Sequence, residues 1–319
     1  LCYKIIDQAA AMNVPSIKFN WRGEPLLHPK LCDFIRYAKK KGILETIINT
    51  NATKLNTNLS KKLIESGLDI LIFSFDGGTK KTYEKLRPGR FKKNNFDNIY
   101  ENIKNFKKLR ESLNSVLPIT KVQMVLTQDT HSEQEEFYKL FKEYVDDVSV
   151  KQYTERGGEL EYLKKDLIKE KKIDTTLKDN ELLRDRQGNL FISNGRLPCE
   201  QPYQRMLATY DGKVSMCCYD WGSMHPIGYL DKTAFKNGNN DYLKVKKQIE
   251  SKKKGFEMMK PILPNEYNSP EKKVEDLKKI WIGEEIQTVR EKHMVNKVDE
   301  VKICKKCPFK ETYSWKKID

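Results

Sequence analysis

Four cysteines in the C-terminal half of the chain have the spacing of a metal site. Cys304 and Cys307 form a Cys-x-x-Cys pair, and Cys199 and Cys217 stand upstream of it. A Cys-x-x-Cys pair alone suits zinc, iron–sulfur or redox chemistry. The two separate cysteines favour a single four-thiolate site, because one metal centre needs all of its soft ligands to converge. On spacing alone, the metal could be zinc or iron.

The other cysteines are not needed for this site. The chain has seven cysteines and four histidines, so a metal site must depend mainly on thiolates. Cys217 and Cys218 are neighbours, and neighbouring residues of a strand point to opposite faces, so only one of them is expected to be a ligand. The spacing after Gly212 favours Cys217. We interpret Cys2 and Cys32 as helix residues without a ligand role.

Polar residues also follow three predicted strands in the first half of the chain. Glu24 follows the first strand, Asn51 the second, and Ser74 and Asp76 end the third. Ligands of parallel α/β folds bind at the carboxyl ends of the strands. Such residues also stop strands as ordinary turn formers. A carboxylate, an amide and a Ser-x-Asp pair on successive strands could nevertheless bind an ammonium group and two ribose hydroxyls.

The elements that must position these residues alternate along the chain. Apolar runs predict strands, and helix-like periodicity lies between them. Repeated strand–helix–strand units indicate a parallel sheet, so residues 1–155 are expected to form a parallel barrel or open sheet that lacks its first strand. Ser132 and Glu135 fit a capping box that opens one of the helices. The predicted strands cover residues 16–20, 44–49, 69–75, 121–126 and 148–153.

The rest of the chain divides into a connector and a cysteine-containing module. Residues 156–198 are rich in charged residues and are interpreted as a charged connector. Residues 199–319 form the predicted metal module, with an insertion at about 233–275. The chain begins with Leu1 inside an apolar-periodic segment, so we expect that the natural N-terminus is missing.

Composition favours a globular protein of the cytosol. The chain has 319 residues, of which 33% are charged and 38% hydrophobic, and no apolar run approaches the roughly 20 residues of a membrane span. The net charge of +15 could attract an acidic partner such as a nucleic acid or a sugar nucleotide. The lysines are dispersed, however, which favours solvated lysine faces over a nucleic-acid interface.

The strand-end residues resemble the motifs of radical S-adenosylmethionine (radical SAM) enzymes. The segments are RGEPLLHP around Glu24, TNA at 50–52 and SFDG at 74–77. The resemblance implies a partial (β/α)6 TIM-like barrel that lacks its first strand. It also implies roles for five residues. Gly23 and Glu24 would receive the methionine ammonium of S-adenosylmethionine, Ser74 and Asp76 would contact its ribose or methionine carboxylate, and Asn51 would shape the same pocket.

The sequence departs from the family pattern at three places. Arg22 replaces the first of two glycines before the glutamate, and Ala52 replaces the glycine of Thr-Asn-Gly. The Cys-x-x-x-Cys-x-x-Cys motif, which in the family holds the catalytic [4Fe–4S] cluster, does not occur in this chain. We therefore expect the chain to be an inactive fragment of an enzyme whose catalytic-cluster ligands lie outside it.

The C-terminal cysteines resemble the SPASM or shortened twitch module of the same superfamily. The matching segment is CEQPYQRMLATYDGKVSMCCYDW, followed by Ile280-Trp281, Val289-Arg290 and then CKKC. The twitch form, with one auxiliary [4Fe–4S] cluster on four cysteines, fits the number of cysteines and forms a small α+β iron–sulfur module. A structural zinc site with four cysteines is the alternative.

The function implied by the resemblance is cleavage of S-adenosylmethionine to a 5′-deoxyadenosyl radical. That radical would abstract hydrogen from a small polar substrate, with a sugar or sugar nucleotide favoured, and the auxiliary cluster could make the reaction a net oxidation. An electron donor such as flavodoxin or ferredoxin is implied, and no catalytic side chain is assigned. The alternatives are an enzyme that modifies ribosomal peptides and a non-catalytic binding protein with a four-cysteine zinc site.

Overall fold

The computed structural model of the chain consists of two compact units, residues 2–153 and residues 154–319 with Leu1. Not every residue within them is described. None of the described helices has the length and apolar character needed to cross a membrane. The structure describes residues 1–21, 23–88, 95–127, 129–152, 182–184, 189–220, 223, 225–237, 273–305, 307 and 309–318.

The N-terminal unit alternates helices with strands of one parallel sheet, which confirms the predicted α/β class. Its described strands pair in chain order, and every neighbouring pair is parallel. The strands are β1 (Ser16–Lys18), β2 (Glu45–Thr50), β3 (Ile70–Ser74), β4 (Ile119–Leu126) and β5 (Asp147–Gln152). The helices are α1 (Cys2–Ala11), α2 (Leu31–Lys40), α3 (Thr57–Glu65), α4 (Lys80–Leu86), α5 (Phe96–Ser112) and α6 (Gln134–Phe141).

The two faces of this sheet differ in polarity. Alternate residues of the central strands, among them Ile48, Phe73 and Val122, are almost fully buried in the apolar core with the helices. The residues between them, such as Asn49 and Gln123, are only half-buried and lie on the opposite face. The helices therefore cover one face, and the other face is mixed, with polar residues beside apolar ones such as Ile72.

One predicted helix start was wrong. The helix expected to open at a capping box with Ser132 begins at Gln134, after a short 3-10 turn. Glu133 provides no side-chain cap for its own helix. Instead, its carboxylate accepts hydrogen bonds from the backbone of Gly78, at 2.7 Å, and of Thr79, at 3.1 Å, at the start of α4. Glu133 thus serves the N-terminus of α4 and not that of its own helix, because a carboxylate is favourable at any helix N-terminus within reach.

Carboxylates also join neighbouring strands at the amino edge of the sheet. Asp69 precedes β3 and accepts bonds from the backbone and hydroxyl of Thr46 on β2, at 2.7 and 2.8 Å. Asp146 precedes β5 and makes the same two bonds with Thr120 on β4, at 2.7 and 2.8 Å. Arg110 adds an ion pair to Asp146 at 2.5 Å. The repeated contact fixes the register of two strand pairs away from the predicted ligand edge.

The C-terminal unit combines short helices with two described antiparallel sheets, ordered β6-β7-β11 and β8-β9-β10. The strands are β6 (Leu182–Arg184), β7 (Leu190–Arg196), β8 (Leu207–Ala208), β9 (Lys213–Ser215), β10 (Pro226–Tyr229) and β11 (Tyr313–Ile318). The helices are α7 (Gln201–Gln204), α8 (Thr233–Asn237), α9 (Leu277–Ile282), α10 (Glu284–Met294) and α11 (Lys302–Lys305).

The segment interpreted as a charged connector contributes strands to this unit. β6 and β7 lie within residues 156–198, and β7 pairs with β11 along six residues of the C-terminus. The pairing places Arg196, the last residue of β7, opposite Tyr313. Most of the connector, and most of the expected insertion at 233–275, lie outside the described residues.

Candidate functional site

Glu24 joins the carboxyl ends of β1 and β2. Its Oε1 accepts hydrogen bonds from the Thr50 hydroxyl at 2.6 Å and from the Leu26 amide at 3.1 Å. Its Oε2 accepts one from the Asn51 amide at 2.8 Å. A carboxylate offers about four acceptor positions, so these bonds leave about one open for a ligand. Glu24 is thus held in place by the protein before any ligand binds.

The turn after β2 has an unusual backbone conformation. Ala52 has φ +58°, in the left-handed region that favours glycine, and it is fully buried. Its carbonyl accepts a bond from Asn102 at 3.0 Å, and its amide donates to the Thr50 hydroxyl at 3.0 Å. The family's glycine at this position therefore fits the backbone, and Ala52 adopts the same conformation. The Asn51 side chain accepts bonds from Thr53, which orders the turn.

Asp76 has the same role at the ends of β3 and β4 that Glu24 has at β1 and β2. Its Oδ1 accepts a bond from the Val125 amide at 2.9 Å, and its Oδ2 pairs with the Arg87 guanidinium at 2.7 Å. The next residue, Gly77, has φ +142°, and a Cβ there would lie 2.7 Å from the Tyr83 amide nitrogen. Arg87 therefore uses one oxygen of the Asp76 carboxylate, although its sequence position gave no sign of this contact.

A row of polar side chains crosses the face of the sheet that the helices leave uncovered. Ser74, Gln123 and Ser149 are register partners on β3, β4 and β5. Within the described residues, no hydrogen bond engages the side chains of Ser74 or Gln123. Asn49, on β2, has a buried Oδ1 without a partner in the described part of the chain. Of these residues, only Ser74 was predicted as a site residue, although the polar–apolar alternation around Gln123 is visible in the sequence.

Backbone amides act on the sulfurs of three of the four predicted cysteine ligands. The amide of Gln201 donates to Cys199 Sγ at 3.5 Å. The amides of Tyr219 and Asp220 oppose the raised pKa of Cys217, and the amide of Phe309 opposes the raised pKa of Cys307. In each case a donor lies two residues after the cysteine. Hydrogen bonds of this kind favour the thiolate, which is the form that binds metal.

The four predicted thiols also influence each other. Burial raises the pKa of Cys304 well above its usual value, and the neighbouring Cys307, Cys217 and Cys199 raise it further. Burial likewise raises the pKa of Cys307 to about 11, with Cys199 contributing to the increase. The structure therefore brings Cys199, Cys217, Cys304 and Cys307 into one neighbourhood, where without metal they are protonated. Among the described residues, no three such side chains converge at metal-ligand distances.

Cys217 and Cys218 differ in their surroundings. Cys217 is buried, with 8% of its surface exposed, and its pKa is raised first by burial and then by Cys307. Cys218 is half-buried and contributes to the raised pKa of Cys307, but not as the first neighbour. Both thiols are near the other predicted ligands, and the backbone amides of residues 219 and 220 act on Cys217. This geometry supports the preference for Cys217.

The surroundings of the thiol group are compatible with a bound metal. Its members come from separate parts of the C-terminal unit, and several are bonded by amides as thiolates are in metal sites. Two buried donors beside them, Arg196 Nε and His293 Nε2, have no partner among the described residues. Such orphaned donors suit a negatively charged group bound there. Four thiolates accommodate zinc or a [4Fe–4S] cluster.

The N-terminal unit is an α/β protein with the carboxylates of Glu24 and Asp76 at the carboxyl ends of its strands, and these strand ends are called the ligand edge below. Comparison with known families gives the class. Residues 21–141 match the family model of the Radical SAM superfamily. The chain therefore carries a radical SAM domain over these residues, which confirms the resemblance found in the sequence. The matched range contains every predicted strand-end residue from Gly23 to Asp76.

Individual relatives are similar over parts of the chain. The tungsten-containing aldehyde ferredoxin oxidoreductase cofactor-modifying protein of Pyrococcus furiosus is 28% identical over 69% of this chain and 60% of its own length. The Fe-coproporphyrin III synthase of Methanosarcina barkeri is 36% identical over 26% of this chain and 20% of its own length. The chain thus matches less than two thirds of either protein. Streptococcus suis SuiB, a solved structure, is 18% identical with a TM-score of 0.46, over 67% of this chain and 53% of SuiB.

Proposed function

We propose that the chain functions as part of a radical SAM enzyme that acts on a polar substrate. The five-stranded sheet would belong to a (β/α)6 TIM-like barrel, and the C-terminal thiolates would hold one auxiliary [4Fe–4S] cluster. A reduced [4Fe–4S] cluster, when bound, would supply the electron for reductive cleavage of S-adenosylmethionine to a 5′-deoxyadenosyl radical, which would abstract a hydrogen atom from the substrate. The main support for this proposal is the position of the Glu24 carboxylate, which is held between the ends of β1 and β2 within residues 21–141.

The residues of this chain would bind and orient S-adenosylmethionine. The remaining acceptor position of Glu24 and the backbone of Gly23 would receive the methionine ammonium, since a charge-assisted bond suits that group. The half-buried Ser74 hydroxyl and the remaining acceptor of Asp76 would contact the ribose or the carboxylate. Arg87 would hold Asp76 in place, and Asn51 would shape the pocket through the hydrogen bond from its backbone amide to Glu24. Holding the ligand in one orientation lowers the entropic part of the barrier.

Polar side chains on the face of the sheet opposite the helices support a polar substrate. Ser74, Gln123 and Asn49 offer hydrogen-bonding groups that no described residue satisfies, and an apolar substrate would leave such groups unpaired at a cost. A sugar or sugar nucleotide fits this surface. A ribosomal peptide is the second candidate, and the Pyrococcus furiosus relative, named for modifying a cofactor, adds a third class. Flavodoxin or ferredoxin is the expected electron donor.

Equilibrium dialysis with labelled S-adenosylmethionine tests the ligand edge directly. The chain should bind about one molecule saturably, and Glu24→Ala should weaken binding at least tenfold. Glu45→Ala is the matched control, because Glu45 joins the same two strands at the opposite edge through Ser16 at 2.8 Å. Binding equal in Glu24→Ala and the control removes Glu24 from the site, and no saturable binding by the unmodified chain refutes the proposal.

Metal analysis separates the enzyme from a non-catalytic binding protein. Protein purified anaerobically should be brown and contain about four irons per chain on the four C-terminal cysteines, as one [4Fe–4S] cluster requires. Colourless protein with one zinc per chain would instead favour a binding protein with a structural zinc site.

A further inference from the structure

Two buried nitrogen donors lie beside the predicted thiolate site and lack acceptors. They are Arg196 Nε and His293 Nε2, and neither has a hydrogen-bond partner among the described residues. His293 is fully buried. Leaving such a donor unpaired costs about 1–3 kcal/mol, so native proteins normally provide a partner. The two donors come from β7 and α10, which are distant in sequence from each other.

Arg196 is fixed by contacts with the loop that carries two of the cysteines. Its Nη2 donates to the backbone carbonyl of Cys304 at 3.1 Å, and its Nη1 donates to the Tyr313 hydroxyl. That hydroxyl in turn donates to the Cys307 carbonyl at 2.8 Å. The guanidinium carbon also lies 4.2 Å from the centre of the Tyr313 ring. These contacts leave one face of the guanidinium, and its Nε, available to a further group.

The Arg196 guanidinium lies at the segment that carries Cys304 and Cys307. It bonds the Cys304 carbonyl directly at 3.1 Å and reaches the Cys307 carbonyl through the Tyr313 hydroxyl. A [4Fe–4S] cluster with four thiolates carries a negative charge that grows on reduction, so a fixed cation nearby favours the reduced form.

His293 contacts the backbone of Cys199. Its Nδ1 accepts a hydrogen bond from the Cys199 amide at 3.0 Å. Nδ1 is therefore the unprotonated nitrogen, and Nε2 carries the hydrogen of the neutral ring. The Nε2–H is thus a fully buried donor without an acceptor in the described part of the chain. A thiolate or cluster sulfide would supply that acceptor.

We infer that Arg196 and His293 are positioning residues of the four-cysteine centre, Arg196 as its counter-charge and His293 as a hydrogen-bond donor to its sulfurs. This inference rests on the proposed four-cysteine centre, although it does not depend on the reaction of the radical SAM domain. Neither residue was identified from the sequence, where Arg196 falls in a segment assigned no chemistry.

An EPR-monitored redox titration of the C-terminal cluster tests the role of Arg196. Arg196→Gln should shift the reduction potential to more negative values, because the reduced cluster loses a nearby cation, whereas Arg196→Lys should restore most of the shift. Arg290→Lys is the matched control. Arg290 also lies over an aromatic ring, 4.1 Å from Trp281, and donates to backbone carbonyls of Pro202 and Trp281. An unchanged potential in Arg196→Gln overturns the inference.

Two variants separate the contacts of His293. His293→Asn places an acceptor near Nδ1 and keeps the Cys199 contact, but it removes the Nε2–H donor. His293→Gln places a donor near Nε2 and loses the acceptor. His293→Asn should bind the same amount of iron and have a more negative potential, since a donor to sulfur stabilises the reduced form. His293→Gln should retain the potential and lose iron more rapidly to a chelator. The reverse pattern contradicts the assignment.

Metal content distinguishes failure of the inference from failure of the proposed function. If the unmodified chain holds zinc, the proposed iron–sulfur centre fails, but the charge argument still applies to four thiolates around zinc. Competition with a chelator should then show weaker zinc affinity in Arg196→Gln and nearly unchanged affinity in Arg196→Lys and Arg290→Lys. Equal affinities in all variants overturn the inference for zinc as well.

Discussion

The two predicted sites differ in how far the protein completes them without a ligand. The carboxylates of Glu24 and Asp76 each accept several hydrogen bonds from neighbouring strand ends, so the ligand edge is already organised. The cysteines are gathered, but burial and their neighbours raise the pKa of Cys304 and Cys307, so both are protonated at neutral pH. The strand-end carboxylates are thus held by protein contacts, whereas the proposed cysteine site would depend on a bound metal.

This difference follows from the chemistry of the two residue types. A carboxylate is charged at neutral pH and gains stability from any nearby N–H donor. A buried thiol becomes charged only when a metal compensates for the cost of burying a thiolate. The comparison therefore predicts unequal responses to mutation, metal removal and pH.

The largest effect is expected at Cys304, whose pKa is raised well above its usual value by burial and by the other three thiols. Cys304→Ser should abolish metal binding and destabilise the C-terminal unit, because binding of a structural metal contributes on the order of 10 kcal/mol to folding in zinc domains. Thermal unfolding and metal analysis measure both effects. Cys32→Ser, in the radical SAM domain, is the control and should keep the metal. Full metal content in Cys304→Ser would break the comparison.

The choice between the adjacent cysteines gives the next largest effect. Cys217→Ser should remove most of the bound metal, since Cys217 is buried and the backbone amides of residues 219 and 220 act on it. Cys218→Ser should retain the metal, with a change of less than about twofold in affinity, because an outer neighbour contributes little. Metal retained by Cys217→Ser and lost by Cys218→Ser would reverse the assignment.

The ligand edge should respond more moderately. Asp76→Ala leaves the Arg87 cation and the Val125 amide without their partner, and we expect a loss of about 1–3 kcal/mol in unfolding free energy. Urea denaturation measures this change. The control is Asp97→Ala, which breaks the exposed Lys80–Asp97 pair and should cost less than about 1 kcal/mol. Equal costs would show that the strand-end carboxylate is not a structural contact.

The smallest effect is a pH dependence at the amino edge of the sheet. Burial alone would raise the pKa of Asp146, but bonds from Arg110 and Thr120 lower it from 3.8 to about 2. The folded form holds its proton less tightly than the unfolded form, so this contribution is full above pH 4 and is lost as the pH falls toward 2. Asp146→Asn should flatten the stability profile between these values; an unchanged profile contradicts the assignment.

Much of the ligand edge could be predicted because its signals are local. Asn51 follows β2 directly, Ser74 ends β3, and Glu24 and Asp76 lie shortly after β1 and β3; the parallel arrangement brings strand ends together. The hydrogen bonds of Glu24 and Asp76 with the neighbouring strands could not be predicted, and neither could Arg87, which follows α4 directly. Ser132 shows the limit of a local rule, since the helix begins at Gln134, after a short 3-10 turn, and no side chain caps it.

Less of the cysteine site could be predicted. Cysteine spacing indicated the thiols, but Arg196 approaches them through the pairing of β7 with a strand more than a hundred residues later, and His293 approaches Cys199 from the distant α10. Charged residues around β7 resemble a solvated connector in the sequence. Burial by a distant partner, which no local pattern encodes, changed their role.

Hydrogen–deuterium exchange before and after removal of the metal tests the central comparison most directly. Chelation should leave the protection of the Leu26, Asn51 and Val125 amides unchanged, because protein carboxylates hold them. The amides of Gln201 and Phe309, which lie at the sulfurs of Cys199 and Cys307, should lose protection in the same sample. Equal loss in both units, or no loss at the cysteine site, would show that the two sites do not differ in this way.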